Sequence, residues 1–281
     1  MTYIFNGKKL GSFLALTSDY ANDHFEYIDK PNLISIHWNR GSRPITFLLD
    51  EIDTTLKPHQ LITTTYLHTI QFSKNTQELT SFSFNREFYC IKDHDHEVSC
   101  NGILFFGTSD HPIITLDEDQ QKKFELLFAV FEDEFKTKDN IQEEMLEMLL
   151  KRLIIKLTRL AKVQFISEEA NESQVDIIRK FNVLVEQHFK TKHQVADYAD
   201  LLFKSPKTLS NLFLKLGQHS PLQIIHNRIA LEGRRLLVYT DKTAKEIAYD
   251  LGYEDASAFH KLFKKNVGKT PQAFKSQFKP I

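Results

Sequence analysis

Cysteine and long apolar runs are both scarce in this sequence. Two of its 281 residues are cysteine, which argues against a disulfide-stabilised fold and predicts a reducing compartment, by default the cytoplasm. No stretch approaches the ~20 consecutive apolar residues that a membrane-spanning helix needs. The short apolar stretch LGSFLAL (10–16) lacks a small-residue cleavage site, so we do not expect a signal peptide.

Net charge is also small, at −1, but the charges are unevenly distributed along the chain. Residues 176–281 hold 18 Lys/Arg and 10 Asp/Glu, a net +8, whereas the first 175 residues hold 18 Lys/Arg and 27 Asp/Glu, a net −9. A basic C-terminal third suits a separate nucleic-acid-binding module, because phosphate contacts dominate the affinity of such modules. Chance segregation of solvated surface charge is the alternative.

The first ~116 residues contain short β-prone runs separated by turn signals, a pattern typical of a small antiparallel barrel or sandwich. The runs lie at 33–38, 44–50, 61–72, 87–92 and 102–107. Helical periodicity is largely missing from this part of the chain. A chain of this length can hold two domains, each with its own core, and we expect a β-domain here.

The apolar period becomes helical from Asp117, where phenylalanines and a leucine recur at helical spacing. A second helix carries leucines in 4-3-4-3 steps, which resembles a coiled-coil seam. The seam residues are Leu146, Leu150, Leu153, Leu157 and Leu160. We expect a helical hairpin over about 117–162 that also mediates dimerisation; a helix packed on its own domain is the alternative. The polar segment 166–175 is the expected linker.

The C-terminal part reads as all-helical and contains an internal repeat. LFKSPKTLSNLFLKLGQHSP (202–221) aligns with LGYEDASAFHKLFKKNVGKTP (251–271). At an offset of fifty, Ser205 meets Asp255 and Leu209 meets Phe259. Each copy predicts a helix, a tight turn, an N-capping Ser or Asp, and a second helix. Gly252 suits the left-handed end of the first helix in copy two, whereas copy one has no glycine in its turn.

The exposed faces of the second helices, about 206–216 and 256–266, are the candidate DNA readers. Short hydrogen-bonding side chains flanked by lysines suit a helix in the major groove. The helix between them, within 221–240, would be ~27 Å long and could hold two readers in consecutive major grooves, ~34 Å apart. Gly233 inside that helix should cost ~1 kcal/mol relative to alanine, and a close helix crossing would account for it. The candidate DNA contacts are Lys207, Thr208, Ser210, Asn211, Lys215, Arg228, Ala256, Ser257, His260, Lys261 and Lys264.

Arg228, Arg234 and Arg235 of the connecting helix are candidate partners of phosphates or carboxylates. Either kind of partner fits a guanidinium, which presents a planar fork of donors. The sequence alone leaves that choice open.

The stretch KEIAYDLGYEDASAFHKLFKKNVGKTPQAFK (245–275) resembles the second helix-turn-helix signature of AraC-type (AraC/XylS) transcriptional regulators. SPKTLSNLF, GQHSP and RIALEGRRLL match that family as well, so the resemblance covers about residues 176–278. It implies an α+β chain with a cupin-like effector-sensing domain and dimerisation helices at 1–165, a linker at 166–175 and a DNA-binding domain at 176–281. The implied partners are double-stranded promoter DNA, a second copy of the chain and a small-molecule effector, with contact to RNA polymerase left open. Carried over by position, base-reading roles fall on Lys207, Ser210, Asn211, Ala256, Ser257, His260 and Lys261.

The segment CIKDHDHEVSC (90–100) concentrates both cysteines with two histidines and three carboxylates. A turn through its middle could bring Cys90, His94, His96 and Cys100 together as zinc ligands. The spacing is not that of a common zinc motif. We therefore prefer a polar hairpin turn between two strands and predict no metal site.

Signs of catalysis are absent from the sequence pattern. Enzyme-bearing cupins typically place His-x-His a few residues before Glu, but here Glu97 follows His96 directly. His37, His59 and His68 are scattered without ligand spacing. We see no nucleophile–base pair or phosphate loop, so we expect no enzyme activity and no cofactor. A cupin-type metal-binding protein or metalloenzyme with an accessory helical domain is the alternative.

Overall fold

A computed structural model describes most of the chain as two compact units that meet in sequence between Gln164 and Phe165. Strands and a helical hairpin form the first unit, and helices form the second. The expected order, a β-region followed by a helical C-terminal part, is confirmed. The described residues are 1–7, 11–20, 32–50, 52–66, 68–72, 79–91, 103–105, 112–166 and 171–276.

Two antiparallel sheets build the first unit. A six-stranded sheet has the order β1-β2-β8-β3-β6-β9, and a three-stranded sheet has the order β5-β4-β7. Strand β8 lies between β2 and β3, with Phe82 paired to Leu16 on one side and to Ile36 on the other. The strands are β1 (Thr2–Asn6), β2 (Phe13–Thr17), β3 (Ile34–Asn39), β4 (Ile45–Leu49), β5 (Ile52–Leu56), β6 (Gln60–Thr64), β7 (Ile70–Phe72), β8 (Leu79–Phe84) and β9 (Ile113–Thr115).

Two of the expected strands are wrong in the part of the chain that the structure describes. Residues 87–91 form turns, and residues 103–105 form a turn that ends in a single bridge. Their apolar side chains are nevertheless buried. Burial of turns against the sheets therefore produced the apolar pattern that a strand would also give, because short apolar runs do not distinguish the two. The expected strand at 61–72 is divided in the structure between two strands, β6 and β7.

The helical hairpin consists of α1 (Glu118–Lys136) and α2 (Gln142–Phe165). Asp117 caps α1, since its side chain accepts a hydrogen bond from the Gln120 backbone N–H at 2.7 Å. Phe128 and Phe131 of α1 pack on Phe82, with ring centroids 6.2 and 4.9 Å apart. The first helix therefore lies on the six-stranded sheet.

The leucine seam of α2 is covered by the chain itself. Leu146, Leu150, Leu153 and Leu157 are buried within the single chain, and Leu160 is half-buried. The first four side chains thus fit the alternative of a helix packed on its own domain. A partner subunit would therefore have to contact another face of the hairpin. Dimerisation remains a prediction, but these four leucines are not available for the interface.

Seven helices make up the described part of the second unit. The first begins within the expected linker, because Asn171 and Gln174 form a reciprocal capping box. The linker expected at 166–175 is therefore too long at its C-terminal end. The helices are α3 (Glu172–His188), α4 (Val195–Leu201), α5 (Pro206–Lys215), α6 (Pro221–Tyr239), α7 (Ala244–Asp250), α8 (Ala256–Val267) and α9 (Pro271–Lys275).

One apolar core joins both copies of the repeat. Leu209 and Phe213 of α5 are fully buried in it, as are Phe259 and Phe263 of α8. A Cβ on Gly233 of α6 would lie 2.9 Å from Cζ of Phe259 and 3.2 Å from Cδ2 of Phe263. The close helix crossing that would account for this glycine is therefore present between α6 and α8.

The two helix-turn-helix turns share a left-handed residue but differ in their surroundings. Gly252 has φ +80° between α7 and α8, and Phe203 has φ +54° between α4 and α5. A Cβ on Gly252 would lie 1.9 Å from the carbonyl oxygen of Lys190. The side chain of Phe203 is instead 93% exposed. Only the second turn requires glycine for both conformation and space, which explains why the first turn tolerates a bulky residue.

We predict that Gly252→Ala lowers the free energy of unfolding by about 3 kcal/mol or more, because left-handed strain adds to a backbone clash. Gly268→Ala is the matched control: Gly268 has φ +81° with nothing within 4 Å of its added Cβ, so only the ~1–2 kcal/mol of strain should be lost. Phe203→Gly should gain up to about 1 kcal/mol by releasing that strain. Urea unfolding followed by circular dichroism measures all three, and equal losses for the two alanine variants would refute the role of the Lys190 contact.

Candidate nucleic-acid interface

Helix α5 presents a polar face opposite its buried face. Ser205 caps the helix by accepting a hydrogen bond from the Thr208 N–H at 3.0 Å, and Pro206 occupies the first helical position. Both features favour a helix start, since proline lacks an N–H that would be unpaired there. Leu209 and Phe213 are buried. Because the helix repeats every 3.6 residues, the side chains on the opposite face of α5 point to solvent. The exposed candidates on α5 are Lys207, Thr208, Ser210, Asn211 and Lys215.

Helix α8 repeats this arrangement in the second copy. Asp255 accepts a hydrogen bond from the Ser257 N–H at 3.0 Å. Hydrogen bonds from the backbone and side chain of Ser257 lower the pKa of the Asp255 carboxyl, so the cap stays charged at neutral pH. Ala256 is only half exposed, because it packs against the core. The fully exposed candidates are Ser257, His260, Lys261 and Lys264.

Two hydroxyl groups on α5 make local hydrogen bonds. The Thr208 hydroxyl lies 2.8 Å from Oγ of Ser205. Ser210 donates its hydroxyl hydrogen to the Pro206 carbonyl oxygen at 2.9 Å. Ser210 therefore reaches a ligand mainly through its remaining acceptor lone pair. The amide of Asn211 can both donate and accept, which makes it the better equipped of the α5 candidates to pair with an adenine edge.

Helix α6 connects the two helix-turn-helix copies. It contains 19 residues and is therefore about 28 Å long at 1.5 Å per residue. Ser220 caps it by accepting from the Gln223 N–H at 3.3 Å, and Pro221 occupies the first helical position. A rigid element of this length suits two readers that occupy successive turns of one duplex face.

Arg228, which the sequence suggested as a DNA contact, is instead buried inside the unit and paired with carboxylates. Its side chain is 6% exposed and forms a bidentate pair with Glu186, with distances of 2.6 Å from Nε and 3.1 Å from Nη2. Its Nη1 lies 3.3 Å from Oε2 of Glu232, and its guanidinium stacks 3.8 Å above the Phe189 ring. The fork of donors is thus satisfied inside the unit, where it fastens α6 to α3.

Glu232 is the buried carboxylate that the connecting helix shares between two arginines. Arg235, whose side chain is 40% exposed, donates to Oε1 of Glu232 at 2.8 Å. Burial alone would raise the pKa of Glu232, but the Arg235 hydrogen bond and the Arg228 and Arg235 charges outweigh it and lower that pKa. For Arg228 and Arg235, the carboxylate alternative of the sequence analysis is therefore the correct one.

His193 stabilises the turn between α7 and α8, a role that the sequence did not indicate. Its Nε2 donates to the Leu251 carbonyl oxygen at 2.9 Å, and its ring stacks on Tyr253 at 4.4 Å. Burial raises the pKa of Tyr253 to about 12. The segment after α3 thereby fixes the start of α8. A single histidine in the segment between two helices carries no sequence signal for such a contact.

The candidate metal segment lies mostly outside the described residues. Cys90 is described and buried, whereas His94, His96 and Cys100 fall in the part that is not described. Within the described ranges, no group of three or more His, Cys, Asp or Glu side chains could hold a metal ion. Buried His37 lies within hydrogen-bonding distance of Ser81 Oγ, at 2.7 Å, and of Thr64 Oγ1, at 3.0 Å.

No helix among the described residues is long and apolar enough to span a membrane.

One family model matches the chain within the C-terminal unit. Residues 198–277 match the family described as helix-turn-helix domain. The chain is 28% identical over 105 residues to the bifunctional transcriptional activator/DNA repair enzyme AdaA of Bacillus subtilis (strain 168), covering 37% of this chain and 48% of AdaA. It is also 28% identical over 93 residues to the regulatory protein PocR of Salmonella typhimurium (strain LT2), covering 33% of this chain and 31% of PocR. The chain thus spans less than half the length of these relatives.

Among solved structures, ToxT from Vibrio cholerae O395 aligns over 100% of this chain and 95% of its own length. The identity is 16% and the TM-score is 0.43.

We predict that Arg228→Ala lowers the free energy of unfolding by about 3 kcal/mol at pH 7, because it removes the bidentate partner of Glu186 and leaves buried Glu232 with Arg235 alone. The pKa of Glu232 is lowered in the folded protein, so its contribution is present above the unfolded value of ~4.3 and is lost as pH falls through the folded value. The loss caused by Arg228→Ala should therefore be as large at about pH 5 as at pH 7, and smaller at about pH 3, in urea unfolding.

Arg235→Ala is the control for this prediction, since it removes a more exposed partner of the same carboxylate and should cost about 1 kcal/mol or less. An Arg228→Ala effect of the same size at about pH 5 and about pH 3 would mean that stacking on Phe189, rather than the ion pair, carries the stability.

Proposed function

We propose that this chain, whose residues 198–277 are an AraC-type helix-turn-helix domain, is a sequence-specific DNA-binding transcriptional regulator. In this proposal, α5 and α8 occupy consecutive major grooves of a promoter duplex. In this proposal the protein acts in the cytoplasm, which agrees with its low cysteine content.

The observation that carries the proposal is the pair of matching exposed faces. Lys207, Ser210 and Asn211 on α5 lie at the repeat positions of Ser257, His260 and Lys261 on α8, and all six are exposed. Both helices bury their other faces in one core. The lysines suit phosphate or guanine contacts, and the amide suits adenine. A shared core would keep the two reading faces in a fixed relation on the duplex.

Catalysis is not part of the proposal. The one catalytic activity among the named relatives is DNA repair by AdaA, and the similarity covers 48% of that protein. The regulatory role of the chain rests on the C-terminal unit, because the matches fall there.

We also propose a homodimer that forms through the outer groove of the α1–α2 hairpin. Leu126 and Val130 are exposed on α1, and they line one groove together with Leu149 and Leu160 of α2. The groove also carries four cationic side chains, those of Lys123, Arg152, Lys156 and Arg159. Apolar side chains in such a groove favour burial against a second copy. Of the predicted seam, Leu160 is the residue that takes part in this surface.

Native mass spectrometry of the full chain tests the dimer. We expect a dimer for the unchanged chain and a monomer for the Leu126→Lys/Val130→Lys double variant, because each added ammonium group would be buried beside the cations that already line the groove. Ile52→Asp, at an exposed position on β5, should leave the dimer intact. A dimer that persists in the double variant would place the interface elsewhere.

The first unit is proposed as a cupin-like sensor of a small-molecule effector, and its two antiparallel sheets support this proposal. The same native spectra would show a retained effector as a mass above that of the polypeptide. Contact with RNA polymerase is a further proposal, which co-purification with the full chain tests.

Selection of binding sites from random duplexes, followed by mobility-shift titration, tests the DNA-binding function. We expect salt-sensitive binding with a sequence preference over two major-groove sites. Asn211→Ala should relax the preference at one base position by ~1–3 kcal/mol. As a control, Lys264→Ala should weaken binding to all sequences and lower the salt slope by about 1 if it contacts a phosphate.

Absence of any sequence preference in the selected pool would contradict the proposed function. An Asn211→Ala variant that binds all sequences more weakly, without relaxing one position, would contradict only the base-reading role of Asn211.

A further inference from the structure

Leu214 lies on the polar face of α5, in the last turn of the helix. It follows Lys207 by seven residues, Ser210 by four and Asn211 by three, which places all four side chains on one side of the helix. Its side chain is 78% exposed. The leucine therefore adds nothing to the core that Leu209 and Phe213 build on the opposite side.

A single exposed leucine is ordinary on a protein surface, so its position must carry the argument. Homeodomain recognition helices read bases in the major groove from four positions spaced i, i+3, i+4 and i+7. Lys207, Ser210, Asn211 and Leu214 have this spacing. The residue in the fourth position is thus placed to face a base whenever the other three do.

The second copy has a different residue at this position. Leu214 aligns with Lys264, which is exposed on α8. Lysine can reach a guanine or a phosphate, whereas leucine has neither a donor nor an acceptor. The two reading faces therefore differ in chemistry at the position nearest the C-terminal end of each helix.

We propose that Leu214 reads a thymine through apolar contact with its 5-methyl group. Thymine is the one base that presents a methyl group in the major groove, and the other three present their hydrogen-bonding groups there without one. Against those bases, Leu214 would cover donors or acceptors without replacing their bonds to water. This inference rests on the proposed DNA-binding function and gives the first helix-turn-helix copy its own specificity. With Asn211 suited to adenine, the α5 half-site is biased towards A·T pairs.

The test uses the site selected by the full chain and replaces each thymine of its α5 half with deoxyuridine, one position at a time. Uracil lacks only the 5-methyl group and keeps the pairing edge. At the thymine read by Leu214, we expect binding to weaken about fourfold, which corresponds to the ~0.8 kcal/mol of one buried methyl-sized group at 1.36 kcal/mol per tenfold. In the Leu214→Ala variant, the same thymine-to-uracil replacement should change binding by less than about 1.5-fold, because the leucine that contacts the methyl group is already absent.

Leu222→Ala is the matched control, since it shortens another exposed leucine, at the start of α6, and should keep the fourfold effect. Leu214→Ala leaves an exposed helical position with a better helix former, so a folding defect is not expected. Circular dichroism checks that both variants keep the helical content of the unchanged chain.

Each remaining outcome overturns the inference in a distinguishable way. If the full chain shows no sequence preference, the proposed function and this inference both fail. If it binds a preferred sequence but no thymine-to-uracil effect depends on Leu214, only the role of Leu214 fails. If Leu214→Ala weakens binding equally for all sequences, Leu214 supports the helix position rather than reading a base.

Discussion

The close packing of α8 on α6 at Gly233 is the contact on which the second unit depends. The absence of a side chain lets the rings of Phe259 and Phe263 approach within about a van der Waals contact of the connecting helix. Those rings also fill the core that α5 enters through Leu209 and Phe213. Both candidate reading helices therefore take their positions from one connecting helix, and neither could shift without disturbing the common core.

Polar contacts complete what the apolar core begins. Arg228 ties α6 to Glu186 of α3, and His193 ties the segment after α3 to the carbonyl group that precedes Gly252. A buried guanidinium bound by two carboxylates specifies one arrangement of its helices, since any other would leave a charge without a partner. The unit thus combines a non-directional core with a few directional contacts that determine which packing is adopted.

The sequence predicted features that local chemistry determines, and it missed those that depend on distant neighbours. Caps at Ser205 and Asp255 and the buried positions of the repeat were predictable, because each follows from a short local pattern. The resemblance to AraC-type regulators is confirmed for the C-terminal segment. Arg228 was assigned to DNA because a pattern of exposed arginines and one of buried arginines look alike until Glu186, 42 residues away, is in place.

The same limit applies to the first unit. Buried turns at 87–91 resembled strands, and the leucines of α2 resembled a dimer seam until the sheet-packed hairpin showed that four of them were already covered. Hydrophobic periodicity identifies a buried face and does not say whether that face is buried by the same chain or by another.

The solvent-facing turn at Phe203 has a consequence for experimental work on this protein. A backbone position whose side chain projects almost entirely into water can accept a bulky group without disturbing a core. A fluorophore or spin label attached there would report the orientation of the first helix-turn-helix copy while both copies remain packed. The equivalent residue of the second copy, Gly252, has no room for such a group, because even a Cβ there would clash with the Lys190 carbonyl oxygen. A label at this turn is therefore possible in the first copy only.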